Sequence, residues 1–460
     1  MGGLYDQGLS LKDGIEQKAQ DSVWYVTVGN ASLQQEPEIA VADYQQSLEQ
    51  DDPSPRNLTT DTVRYWSDYN RVFYHPRSIV QLNAFDLNSS IVPFEKYETG
   101  EELFRNVDRD EDILDRDFRT WAEECDQMQG IQIITGNDDA WAGFASRYIE
   151  SLRDEFGKTG IWIWGIGQEN GPISKAKQAL RAINSARMIA ETSSTVSMYV
   201  PLLPPQKKPP SYVHLDTRSQ WHTSALVSAA LESVSLPSRL RDGGQRRGYL
   251  DDLSAVLNTN GNQRIAQLQC SIVGGDIRNE KPKSGATLDD RIRSDRDDAL
   301  INEDEQEDDL ADFDINFSDD ARGRMHATKS VSSRTFGLII CSRGAIESHF
   351  RPLDEDELAL ARKRRRFEGK PVIERYYTQL PYPLPDSFPH IFTNASEGNV
   401  NVTASLTTSS QSSRAIDSLQ ETSRMVADLE ERETLFNSLG EMAEAYKEGW
   451  DSGPDVDSDD

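Results

Sequence analysis

Eight residues have the order and spacing of a loop that does chemistry: Gly136, Asn137, Asp138, Asp139, Ala140, Trp141, Ala142 and Gly143. The apolar run MQGIQIIT (128–135) precedes them. The amphipathic stretch FASRYIESLRDEF (144–156) follows. A strand that turns tightly into a helix leaves free N–H groups at the helix mouth, and such a mouth can receive a phosphate. A phosphate cradle needs several N–H groups converging on one set of oxygens, which calls for glycines. This loop has glycine only at its two ends. Asp138 and Asp139 fall at the helix N-cap, where carboxylates accept the N–H groups a phosphate would use. At ~4 Å each carboxylate repels a phosphate charge by about 4 kcal/mol in an effective dielectric of about 20. A bridging Mg²⁺ would reverse that sign. The residues define a degenerate phosphate-type loop: a nucleotide-binding layout whose side chains oppose a nucleotide.

Other chemistry-bearing residues have plainer readings. His75, followed by proline, reads as structural. Asp251 and Asp252 in GYLDDLSAVL (248–257) could form a general-base pair, but first-turn acids of a helix explain them as well. RKRRR (362–366) has the pattern of a nuclear signal or nucleic-acid patch. In an acidic chain it reads as a solvated helix end or an internal partner of an acidic insert. No GxSxG, HExxH, CxxC or GxxxxGK[ST] motif occurs, and Cys125, Cys270 and Cys341 are widely spaced. No catalytic residue, metal set or disulfide framework is expected, and the cysteine pattern suits a reducing compartment.

The elements that must position the loop follow from periodicity. A helix is expected over 112–128, with Leu114, Phe118, Trp121, Ala122, Cys125 and Met128 on one face. After the loop, Trp141, Phe144, Ala145, Tyr148, Leu152 and Phe156 repeat at helical spacing. GIWIWGIG (160–167) and VSMYVPLL (196–203) read as buried strands, and 175–191 and 220–235 as helices. Strands alternating with helices imply an α/β fold, a parallel sheet covered on both faces.

Residues 1–60 hold one strand pattern, VWYVTVG (23–29), then a polar linker from 36. The α/β block spans 61–240. A second α+β block covers 241–275 and 333–393, with a buried strand at RTFGLIICSRG (334–344). The acid-dense stretch 276–332 cannot offset its ordering entropy and is expected to be a disordered insert. Residues 394–413, rich in Ser, Thr and Asn, read as a linker. C-terminal helices cover 414–449, and an acidic tail covers 450–460.

The net charge of −29 counts against direct contact with nucleic acid or an anionic membrane surface and favours protein partners. Mean hydropathy is −0.65. No segment reaches the roughly 18 apolar residues of a membrane span, and the N-terminus has neither a secretory nor an Arg-rich presequence pattern.

CDQMQGIQIIT (125–135), the loop and ASRYIESLRDEF (145–156) resemble the tubulin stretch in which an LQGFQ strand leads into a GGGTGSG loop and its helix. FYHPRSIVQL (73–82) is similar to tubulin's LFHPEQLI segment, and YETGEEL (97–103) to its YTIGKE segment. RYWSDYNRVFYHPRSIVQLN (64–83), LDRDFRTWAEECDQMQGIQI (114–133), DDAWAGFASRY (138–148) and QLPYPLPDSFP (379–389) together resemble the Misato family, divergent tubulin-like proteins of mitochondrial inheritance. The resemblance covers about 60–275 well and 335–455 more loosely. It implies a tubulin/FtsZ-like fold and a role in partitioning mitochondria and their DNA. The expected location is the cytosolic face of the organelle, with a cytoplasmic pool.

Carried over by residue, tubulin's phosphate loop falls on 136–143, and Gly143 alone matches a glycine there. The guanine-contacting asparagine falls near 198–201, where no asparagine stands. The loop that completes hydrolysis falls near 249–254 and lacks its asparagine. The resemblance therefore implies a non-enzymatic protein without GTP, acting through protein contacts. Its partners would be mitochondrial surface, cytoskeletal or chaperonin components. A polymerising GTPase and a scaffold or chaperone cofactor in cytoskeletal assembly are the alternatives. Family members open with a strand and a Gly-Gln phosphate loop, whereas this sequence begins near GLYDQ. An unpaired sheet edge is the expected consequence.

Overall fold

In a computed structural model the described residues are 41–50, 57–72, 74, 78–80, 82, 84–85, 91–168, 173–205, 209–241, 246–273, 313–318, 333–344, 355–395, 398–426 and 428–447. The strand expected at 23–29, His75 and the acidic tail lie outside them. So does the expected insert, apart from 313–318.

The first sheet is parallel, in the order β1 (Ile131–Gly136), β2 (Ile161–Ile166), β3 (Met198–Leu202), with Ile131 paired to Ile161 and Trp162 to Met198. Among the described residues, the α-helices before β1 are α1 (Asp43–Glu49), α2 (Tyr97–Glu111) and α3 (Arg119–Glu124). Four more follow its strands: α4 (Ala140–Glu155), α5 (Lys175–Thr192), α6 (Gln220–Ser235) and α7 (Leu250–Leu257). Alternation along β2 explains the two covered faces. Ile161 and Ile163 join a core with Ile149 and Leu152 of α4 and Met188 of α5. Trp162 and Trp164 point the other way, into a core with Leu226 and Ala229 of α6 and Leu253 of α7. All four β2 side chains are almost fully buried.

That second core is continuous with a mixed sheet ordered β5 (Ile315–Asn316), β4 (Gln267–Val273), β9 (Asn399–Ser409), β6 (Thr335–Arg343), β7 (Val372–Thr378), with β8 (Tyr382–Pro383) also on β9. Leu268, Ile339 and Leu406 share it with Trp162 and Val200, so one core crosses from the first block into the second. Helix α8 (Glu355–Phe367) lies beside β7. Helices α9 (Gln411–Ser423) and α10 (Leu429–Ala445) close over α5.

Four expectations need correction. Residues 394–413 are not a linker. β9 is hydrogen-bonded on both sides, to β4 and β6. Composition hid the alternation of Val400, Val402, Ala404 and Leu406, which are buried, and β-branched Thr suits a strand. Within the acid-dense stretch, FDINFS (313–318) alternates in the same way. Ile315 and Phe317 are buried, and β5 pairs with β4. The linker at 36–60 contains α1, whose Gln45 amide donates to the carbonyls of Ser67 and Asn70. The helix expected over 112–128 is a π-turn (Leu114–Phe118) running into α3, which ends as Cys125 turns extended. Phe118 packs edge-on against Phe156, and Met128 reaches the same core from the loop before β1.

Candidate functional site

The loop lies at the carboxyl end of β1, where open α/β sheets place ligands. Asn137 N–H donates to the Ile166 carbonyl at 3.1 Å, holding the loop to the end of β2. Asp139 is the N-cap of α4. Its backbone is extended and its carboxylate accepts the Trp141 N–H at 2.9 Å. The same carboxylate covers Gly136, where a Cβ would come within 2.6 Å of Oδ1.

Asp138 is buried. Its Oδ2 accepts the Gln168 N–H at 2.9 Å and lies 3.9 Å from Nε of Arg181. Its backbone carbonyl accepts Nδ2 of Asn184 at 3.1 Å. Asn184 donates as well to the Glu95 carbonyl at 2.7 Å. Asn137 donates from Nδ2 to the Tyr199 hydroxyl of β3 at 3.2 Å. The loop is thus tied to β2, β3 and α5.

Electrostatics follow from burial. Burial raises the Asp138 pKa, while the Gln168 N–H and the Arg181 guanidinium oppose the rise. The Asp139 pKa is pushed up to about 6, first by burial and then by the Asp138 charge beside it. Among the described residues, Oδ1 of Asn137, of Asp138 and of Asn184 are buried without a hydrogen-bond partner. The site already carries a surplus of acceptors. A phosphate brings only more acceptors and requires donors, and at this helix mouth the Trp141 N–H is taken by the Asp139 carboxylate and the Ala142 N–H by the Asp139 carbonyl. These residues do not fit a phosphate group.

The other loop residues have packing roles. Ala140 and Ala142 are fully buried; Trp141 is 41% exposed and edges onto Phe94 and Phe144. Gly143, the one glycine matching the tubulin loop, faces away from any ligand position. A Cβ there would overlap the Tyr97 carbonyl, and one on Gly100 would overlap the Ala140 carbonyl. It is glycine because α2 and α4 cross at backbone contact.

The remaining sequence candidates do not join this site. Asp251 lies against Gly160, at the amino end of β2, roughly 16 Å of strand from the loop. Asp251 and Asp252 are the first-turn acids of α7. The basic run is a set of staples. Arg362 pairs with buried Glu374, Arg364 with Glu368 at 2.8 Å, and Arg366 donates to the Ala255 carbonyl at 2.6 Å. Cys270 and Cys341 are buried thiols, and Cys125 is exposed. Among the described residues no group of three or more His, Cys, Asp or Glu is placed to hold a metal, and no helix is long and apolar enough to cross a membrane.

Sequence reasoning missed Gln168, Arg181, Asn184 and Tyr199. Asn184 carried the one readable signal, a polar residue on the apolar side of α5, one turn from Leu180 and one turn from Met188.

A family profile described as a tubulin domain matches residues 55–240. Fold and match together define a tubulin-like protein. Protein dml1 of Aspergillus niger is 41% identical over 436 residues, covering 94% of this chain and 81% of the relative. Protein dml-1 of Neurospora crassa is 44% identical over 455 residues, covering 94% and 83%. The more distant Protein DML1 of Yarrowia lipolytica is 29% identical over 289 residues, covering 60% and 58%. This chain belongs with these Dml1 proteins to the Misato family.

Proposed function

We propose that this protein partitions mitochondria and their DNA through protein contacts, on the cytosolic face of the organelle and without binding or hydrolysing GTP. The supporting observation is the loop after β1. Asp139 accepts the helix N–H group that a phosphate would need, and Asp138 adds a buried carboxylate beside it. The mitochondrial part of the proposal rests on family membership, since a fold by itself assigns no function.

Two experiments test the two parts. Titration calorimetry with GTP and Mg²⁺ should give no saturable heat. Micromolar binding that disappears on changing Asp138 and Asp139 would overturn the non-enzymatic reading. Depletion in cells should cause uneven mitochondrial distribution and loss of mitochondrial DNA, rescued by the unaltered chain. If depletion leaves both unchanged, and purification recovers tubulin or cytosolic chaperonin in place of mitochondrial surface proteins, the scaffold reading replaces this one.

A further inference from the structure

Asn137, Asp138 and Asn184 are 5%, 6% and 0% exposed, and Oδ1 of each is buried without a hydrogen-bond partner among the described residues. Buried side-chain oxygens are mostly paired with a donor or an ion, so three on neighbouring side chains call for a common partner. Asp138 joins them. Asn137 precedes it in the chain, and Asn184 donates from Nδ2 to its backbone carbonyl at 3.1 Å. Nδ2 of Asn184 also donates to the Glu95 carbonyl, which fixes which atom of that amide is the unpaired oxygen. The two loop side chains reach the same pair of residues just past β2. Asn137 Oδ1 lies 3.1 Å from where a Cβ on Gly167 would stand, and Asp138 Oδ2 accepts the Gln168 N–H at 2.9 Å.

Charge decides what the partner is. Asp138 and Asp139, when ionised, bring two negative charges, and the Arg181 guanidinium, 3.9 Å from Asp138 Oδ2, returns one positive charge. Lys177 is neutralised by Glu95 at 2.6 Å. One negative charge remains in a buried place. A monovalent cation cancels it, a divalent cation leaves an excess of positive charge, and an anion doubles the imbalance. Amide and carboxylate oxygens are hard ligands that suit an alkali ion better than zinc or copper. A water molecule has two hydrogens for three acceptors. We propose that Asn137, Asp138 and Asn184 hold a monovalent metal cation, sodium or potassium, where the loop does not fit a nucleotide. The ion ties the loop to α5 as a structural element. This inference rests on the nucleotide-free reading of the loop.

Thermal unfolding of the full chain without nucleotide tests the site. At constant ionic strength, replacing tetramethylammonium chloride by sodium or potassium chloride should raise Tm by about 3 °C or more, because a ligand held only by the folded state stabilises it. The rise should saturate with cation concentration, and the ion that saturates first is the one the site selects. Magnesium chloride should not substitute. Asp138→Asn removes the charge and should abolish the difference between salts. Asn137→Asp covers the case in which that variant does not fold. Its carboxylate can accept the Tyr199 hydroxyl, and its added charge should enlarge the difference. Equal Tm in all the salts overturns the proposal, as does a rise that never saturates or one that survives Asp138→Asn. A difference that Asn137→Asp leaves unchanged overturns it too, and stronger stabilisation by magnesium overturns the monovalent assignment. Repeating the series with GTP separates this inference from the reading it rests on. A cation effect that appears only with GTP overturns both, whereas no effect with or without GTP overturns this inference alone.

Discussion

Gly100 and Gly143 are the crossing point of α2 and α4, each helix running against the other's backbone: a Cβ on either would overlap a carbonyl of the opposite helix. Gly143 is therefore held by packing, although its position in the loop matches a phosphate-binding glycine. Tyr97, next to this crossing, is buried and donates its hydroxyl to Glu191 of α5 at 2.8 Å. The crossing thereby fixes three helices together.

Gly143→Ala and Gly100→Ala should each destabilise the protein by about 3 kcal/mol or more, because backbone must move to admit the methyl. Gly157→Ala, whose new methyl would lie 3.8 Å from the Arg153 carbonyl, should change stability by less than about 1 kcal/mol. Urea unfolding of the three variants measures the difference.

Asp139 makes stability depend on pH. Its folded pKa, about 6, lies above the ordinary value of 3.8, so the folded state binds the proton more tightly than the unfolded state. The contribution is complete below about pH 4 and is lost as pH rises through about 6, worth up to roughly 3 kcal/mol. Asp139→Asn keeps an N-cap acceptor and removes the charge. It should flatten the decline between pH 4 and 6 and raise stability at pH 7. Denaturant midpoints across that window would refute this if the slope stayed unchanged.

Glu374 is 4% exposed and receives Arg246 at 2.8 Å, Arg362 and the Tyr376 hydroxyl. Glu374→Ala strands two guanidinium groups and should cost about 3–5 kcal/mol. Lys363→Ala, on the exposed side of the same basic run, should stay within about 0.5 kcal/mol. Equal effects in thermal unfolding would contradict the role of the run as a staple.

Thr408 of β9 donates its hydroxyl to the Leu257 carbonyl at 2.7 Å in a fully buried position. Thr408→Val should cost about 1–3 kcal/mol by leaving that carbonyl unpaired. Thr407→Val, half-buried on the other face, should be nearly neutral. A neutral Thr408→Val would show that the hydroxyl does not hold β9 against α7.

The Misato resemblance and the β1–α4–β2 order were legible because apolar repeats of two and 3.6 residues are written locally. The limits of α5 and α6 were readable for the same reason. Where composition and period disagreed, composition misled. The Ser/Thr-rich β9 and the acid-flanked β5 both carried clean alternation, but a strand is confirmed only by the neighbours that bury it. The basic run likewise had a readable charge and an unreadable partner, since Glu374 lies on a different element.

The loop itself divides along the same line. The hydrogen bond from Trp141 to Asp139 spans two residues, so the sequence by itself determined that the helix is capped by its own aspartate. The bond from Gln168 to Asp138 spans 30 residues, that from Asn184 to the Asp138 carbonyl 46, and that from Asn137 to Tyr199 62. Only the tertiary structure decided those, and with them the burial that raises both carboxyl pKa values. Local spacing sets which groups a turn can satisfy for itself; desolvation and distant donors exist only once the sheet and α5 have closed around it.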